Sequence, residues 1–169
     1  MIDRRQFVGG SLGLLLASLV RTPNARAAIG SELLAALEAS PLVYVSPLRS
    51  DGQESRCHGE VWYAWIDGSV VINTATDRWK ARAVRKGLDR ARIWVGDFGR
   101  VKGLFGSNDD FRKGPVFEAH SEFVDDPAVL DRLLRQYETK YPDEIGRWRG
   151  PMRSGFEDGS RVLIRYRPT

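Results

Sequence analysis

The sequence predicts a mainly β, α+β fold: a small β-barrel with short helices packed around it. Three observations predict it. Two aromatic and β-branched runs, EVWYAWI and SVVINT, flank an Asp-Gly pair, which is the pattern of a tight hairpin. Further strand-like runs recur along the chain, while helical periodicity is confined to a few stretches. No G-x-G-x-x-G is present, and helices do not alternate regularly with strands, so a doubly wound βαβ domain is disfavoured.

Residues 1–27 read as an export signal rather than as part of the fold. A basic start precedes an apolar run from Phe7 to Val20, and Ala25-Arg26-Ala27 offers a small-residue cleavage site. The run is shorter than the roughly 20 apolar residues of a transmembrane helix. Arg4-Arg5, followed by Gln6-Phe7-Val8, resembles a twin-arginine signal, with Asp3 where such signals often have Ser or Thr. That resemblance implies a periplasmic or secreted protein that folds before the twin-arginine machinery exports it, often because a cofactor must be inserted in the cytoplasm. It also implies no stable membrane insertion after cleavage. The one cysteine, Cys57, lies far from the signal, so neither a lipid anchor nor an intramolecular disulfide is expected.

Residues 28–169 read as one domain. Ser31 to Ala39 predicts a short helix with Leu33, Leu34 and Leu37 on one face. Leu42 to Leu48 is β-like, and Ser50-Asp51-Gly52 is a turn. In the first hairpin strand Val61, Tyr63 and Trp65 point one way, and Trp62, Ala64 and Ile66 the other. Both faces are apolar, so one packs a core and the second meets a partner, a ligand or another layer. Asp77 is placed to cap a helix running to about Leu88, with Ala81, Val84 and Leu88 as its apolar stripe. Ala91 to Val95 is a strand. Gly96 to Gly114, rich in Gly, Asp and Arg, reads as a surface loop and a candidate lid. Val116 to Val124 alternates as a strand, with Phe117, Ala119, Ser121 and Phe123 on one side. Asp126-Pro127 opens a helix that buries Val129, Leu130, Leu133, Leu134 and Tyr137. Arg161 to Arg167 is a final strand.

Composition sets bounds on function. The chain has 169 residues, 42% hydrophobic and 28% charged, which is ordinary for a globular domain. Its formal charge is +4, yet residues 1–27 alone carry four arginines against Asp3. Most of the excess therefore belongs to the signal, and a nucleic-acid partner loses its electrostatic support.

The stretch that carries chemistry is INTATDRWKARAVRKG, residues 72–87. A strand ends at Thr74, a short turn follows, and a helix opens with Lys80, Arg82, Arg85 and Lys86 in its first turns. A helix start offers free N–H groups and partial positive charge, so it favours phosphate. Thr74 and Thr76 add hydroxyls, and Lys80 and Arg82 add charge-assisted hydrogen bonds. By pattern alone the segment is equally a solvated basic helix face. Asp77 argues against a phosphate unless capping occupies its carboxylate.

These residues resemble a known family, the FMN-binding split barrels, which include pyridoxamine-phosphate-oxidase-like proteins and flavin/deazaflavin oxidoreductases. The family has an aromatic strand such as VWFVW, an Asp/Gly turn, a strand ending in Thr and then T-A-x-x-S-x-K-A-R-x-x-R. This chain has VWYAW at Val61–Trp65, Asp67-Gly68 and TATDRWKARAVR at Thr74–Arg85. The resemblance covers residues 30–105 and, more loosely, the last strand. It implies a six-stranded split β-barrel with short flanking helices, a homodimer, and FMN held by its phosphate at Thr74, Lys80 and Arg82, with Arg85 beside them. The family's Ser falls on Arg78, and Trp79 stands where a basic residue is common. The ring would lie across the strands near Trp62, Ala64, Asn73 and Trp94.

The implied activity is a flavin-dependent oxidoreductase passing hydride to or from a small molecule. The ring does that chemistry and the protein supplies position and water exclusion, so no catalytic acid or base is required. Tyr63 and His58 are the candidate proton donors, each more simply structural. The deazaflavin F420 is a rival cofactor, whose longer anionic tail would suit Arg78, Arg85, Lys86, Arg90 and Arg92. A non-catalytic barrel for haem or another tetrapyrrole is the alternative of another class, with His120 as ligand. A cofactor-free interaction protein is the third. Cys57-His58, read as neighbours in a strand, would point to opposite faces and could not pair. Two histidines and one cysteine leave no structural zinc site. Asp109-Asp110 reads as solvated, and the five tryptophans as core and interface contacts.

Overall fold

The computed structural model of the chain describes residues 29–103 and 106–169. The expected export signal lies outside the described residues. These form the helices α1 (Ser31–Ala39), α2 (Trp79–Arg85), α3 (Pro127–Lys140) and α4 (Pro142–Glu157). The strands are β1 (Val43–Pro47), β2 (Gly59–Val61), β3 (Ala64–Ile66), β4 (Ser69–Ala75), β5 (Arg90–Val95), β6 (Lys102–Gly103), β7 (Gly106–Ser107), β8 (Val116–Val124) and β9 (Arg161–Pro168). A 3-10 turn covers Asp110–Lys113.

Seven strands make one antiparallel sheet in the order β2-β1-β5-β8-β9-β4-β3, and β6 and β7 pair separately. The two edge strands are consecutive in the chain. Only Trp62 and Tyr63 separate them, so the sheet curls until its edges meet, as a split barrel requires. The run expected as one strand is therefore two. Its first half pairs with β1 (Val43 opposite Val61) and its second with β4 (Ala64 opposite Val71). The Asp-Gly turn is as expected: Asp67 and Gly68 both take positive φ, 50° and 71°.

Backbone groups at the corner cannot join either ladder, and helix side chains take them. Tyr63 N donates to the Tyr141 hydroxyl at 3.0 Å, and that hydroxyl donates to the Pro41 carbonyl at 2.7 Å. Tyr137 donates to the Trp62 carbonyl at 2.8 Å. Gln136 then acts as a neighbouring strand, accepting from Trp65 N at 3.0 Å and donating to Trp65 O at 2.9 Å.

The strand faces sort the core into three. Val45, Tyr63, Ile72, Ile93, Ala119 and Ile164 fill the interior, closed by Leu37 of α1 and Ala81 of α2. The opposite face of β3, β4 and β9, with Ala64, Val71 and Leu163, lies under α3 and α4. The second apolar face of the hairpin thus meets a helical layer. Tyr44 of β1 and Trp94 of β5 form a third cluster with Val101 and Phe111.

Helix α3 is as expected: Asp126 accepts from Ala128 N at 2.8 Å, and all five predicted apolar side chains are buried. Helix α2 is shorter than expected. Arg78, not Asp77, occupies the cap position and makes no side-chain cap bond. The helix stops before Leu88 because Gly87 turns at φ 76° and Leu88 N bonds back to Ala83 O. The described ends of the 96–114 stretch are anchored to the sheet. Phe111 and Val101 are buried, and the Tyr44 hydroxyl accepts from Phe98 N and donates to Gly99 O. Helix α4, sixteen residues long, had no counterpart in the sequence reading. No described helix is long and apolar enough to cross a membrane.

Candidate functional site

Strand β4 and helix α2 are set at an angle by the 76–78 turn. Thr76 donates through both its N–H (2.9 Å) and its hydroxyl (3.1 Å) to the Ser160 carbonyl, tying that turn to the start of β9. Arg85 reaches back to the Thr76 carbonyl at 3.4 Å. Thr74 is buried, and strand alternation puts it on the interior face with Val70 and Ile72. Arg82 is exposed.

Lys80 behaves differently from its basic neighbours. It is half-buried and lines a recess of about 280 Å³ with Arg56, Cys57, His58, Glu60 and Trp79. Its ammonium lies 4.4 Å from the centre of the Trp79 ring. Burial pulls it down to about 8, with Glu60 opposing that shift and Arg78 adding to it. Glu60 is partly engaged, accepting from Val101 N at 3.1 Å. His58 presents a buried Nδ1 with no hydrogen-bond partner. Cys57 is exposed and, with His58, precedes β2 rather than lying in it, so the strand argument against their pairing does not apply. A desolvated cation, an unsatisfied imidazole nitrogen and Arg56 in one recess suit a phosphate monoester. Seven residues make α2 too short for its dipole to matter much, so the side chains carry the case.

The other expected contacts lie elsewhere. Trp62 and Asn73 line a second recess of about 330 Å³ with Tyr137, Trp148, Met152 and Arg161. Asn73 points away from Thr74, as strand neighbours do. Trp62 stacks on Tyr141 at 4.3 Å and 6°. Ala64 is fully buried beneath α3 and α4, and Trp94 sits on β5 against Phe111. Thus the structure groups Trp62 with Asn73 and sets Lys80 apart from both. Arg161 escaped the sequence reading because a strand-initial arginine looks like a solvated charge.

Of the cations assigned to a longer anionic tail, three are already paired: Arg78 lies 3.8 Å from Asp77. Arg90 meets Glu118 at 2.7 Å, and Arg92 bridges Glu118 (2.7 Å) and Glu54 (3.0 Å). His120 is exposed on β8, 3.6 Å from Asp89, and lines neither recess. No metal-binding group of His, Cys, Asp and Glu occurs among the described residues.

No family model matches the chain, and no curated protein matches it. Solved structures do. The conserved hypothetical protein Rv2991 of Mycobacterium tuberculosis aligns at 24% identity with a TM-score of 0.54, covering 81% of this chain and 79% of that one. A putative pyridoxamine 5'-phosphate oxidase of Listeria innocua aligns at 13% and 0.51, covering 80% and 90%. The haem storage protein HutZ of Vibrio cholerae aligns at 13% and 0.54, covering 82% and 88%. At these identities the likeness is one of fold.

Proposed function

We propose that this chain is an exported flavin-dependent oxidoreductase that grips FMN by its phosphate in the Lys80 recess. One observation carries the reading: a half-buried ammonium, unpaired with any carboxylate among the described residues, faces a recess beside an unpartnered imidazole nitrogen. Glu60 shares the recess and opposes the Lys80 shift without forming an ion pair with it, so part of the cost of the buried cation remains, and a phosphate dianion would offset it. The fold shared with a putative pyridoxamine phosphate oxidase agrees with it. When bound, the flavin would supply hydride transfer. Lys80, Arg56 and His58 would orient the phosphate, and Trp79 would shield it from water. FMN is preferred to F420 because Arg90 and Arg92 are spent on Glu118 and Glu54. It is preferred to haem because His120 faces solvent.

Titration of the purified protein with FMN, followed by flavin fluorescence, tests the reading. Saturable binding is expected. Lys80→Ala should weaken it by about 1–3 kcal/mol, the loss of one charge-assisted hydrogen bond. Equal affinity in the two proteins removes the assigned role of Lys80. Export is tested separately: changing Arg4 and Arg5 together to Lys should leave the protein in the cytoplasm. Unchanged export would exclude the twin-arginine route.

A further inference from the structure

The second recess has a chemistry of its own. Arg161 opens β9, and its guanidinium turns across the sheet to β4, where Nε donates to the Asn73 side-chain oxygen. That bond fixes the amide, so Asn73 Nδ2 faces the other way, buried and without an acceptor. Arg161 makes no ion pair with a carboxylate among the described residues, and burial makes its charge more costly to hold. The Tyr137 hydroxyl is spent on the Trp62 carbonyl. Arg161 Nη2 also lies 3.5 Å from the Asn73 carbonyl, so what remains for a ligand is the outer edge of the guanidinium, beside the buried amide and walled by Trp62, Trp148 and Met152. Gly155 belongs to the same construction. A Cβ there would lie 2.6 Å from both Cγ and Cδ of Arg161, so the glycine leaves the slot through which the arginine stem passes.

We propose that this recess binds an organic anion with one carboxylate and a flat apolar body, an aromatic monocarboxylate. A carboxylate accepts two bonds in one plane, matching the guanidinium edge that is not turned to Asn73. A neutral ligand would leave the arginine charge uncompensated, and a free phosphate dianion would leave the indole walls unfilled. Phosphate belongs to the Lys80 recess, which lies apart from this one. The proposal does not depend on the flavin reading.

Benzoate is the probe, with benzyl alcohol as its uncharged counterpart and inorganic phosphate as an anion without a flat body. Binding is followed on the full chain by NMR, through the indole N–H signals of Trp62, Trp148 and Trp79 and the Asn73 side-chain amide. Benzoate should shift Trp62, Trp148 and Asn73 saturably, and the other two probes should not. Arg161→Met should weaken benzoate about tenfold or more, as should the isosteric Asn73→Asp, which places a carboxylate against Arg161 and fills the anion's place from within. Asn73→Asp is the safeguard should Arg161→Met unfold. Equal binding of benzyl alcohol, a shift confined to Trp79, no shift in the wild type, or wild-type affinity in a folded variant would each overturn the proposal.

Discussion

Lys80 and Lys140 are two amines held where water is scarce. Lys140 lies 3.4 Å from the centre of the Tyr63 ring, and burial pulls it, like Lys80, down to about 8. Between about pH 8 and the ordinary lysine value near 10.4, the unfolded chain therefore holds protons that the folded chain has released. Stability rises with pH wherever the unfolded state binds more protons, so both lysines make the fold firmer across that window. The buried phenols of Tyr63, Tyr137, Tyr141 and Tyr166 act oppositely. Burial raises them, so above about pH 10 the unfolded tyrosines ionise first and stability falls. Urea denaturation between pH 7.5 and 11 should give a maximum near pH 10, to within about a unit. Lys80→Met should flatten the rising limb. A monotonic fall from pH 8 would contradict the burial of these amines.

At the scale of elements, α4 shows why one helix was illegible. Gly146, Gly150, Pro151 and Gly155 break the periodicity that makes α3 obvious. Its Ile145 and Met152 are buried against the sheet, so packing outweighs propensity. The glycines are not equivalent. A Cβ at Gly146 meets nothing within 4 Å, whereas one at Gly155 meets the Arg161 stem. Gly146→Ala should stabilise by about 0.5–1 kcal/mol, and Gly155→Ala should destabilise despite the same gain in propensity. Paired melting curves would check the opposite signs. The sheet corner offers a second test. Tyr141→Phe strands the buried Tyr63 N–H and should cost about 1–3 kcal/mol in urea denaturation, with the fold retained.

At the scale of the molecule, what was local in the sequence was legible. The Asp67-Gly68 hairpin, the Asp126-Pro127 helix start and the alternation of β8 each depend on neighbours within a few residues, and each stands where expected, save that the buried alternation of β8 ends at Ser121 and leaves Phe123 exposed. The bend at Trp62-Tyr63 depends on β1 and β4 claiming different halves of one run, a decision made across the barrel. The site divides the same way. Lys80 stood out by pattern. The partnership of Arg161 with Asn73, 88 residues apart, exists only once the sheet has formed.

The strand order carries one more consequence. Strand β9 lies between β8 and β4, with six residue pairs to each, and among the described residues it alone joins the β2-β1-β5-β8 half of the sheet to the β4-β3 half. During synthesis those halves emerge early and must wait, each with an open hydrogen-bonding margin, until residues 161–168 leave the ribosome. Commitment to the native state is therefore a late, whole-chain event. Any agent that delays it, from a stalled terminus to a nick after Glu157, leaves one piece of chain carrying two unjoined half-sheets with open edges instead of a smaller barrel.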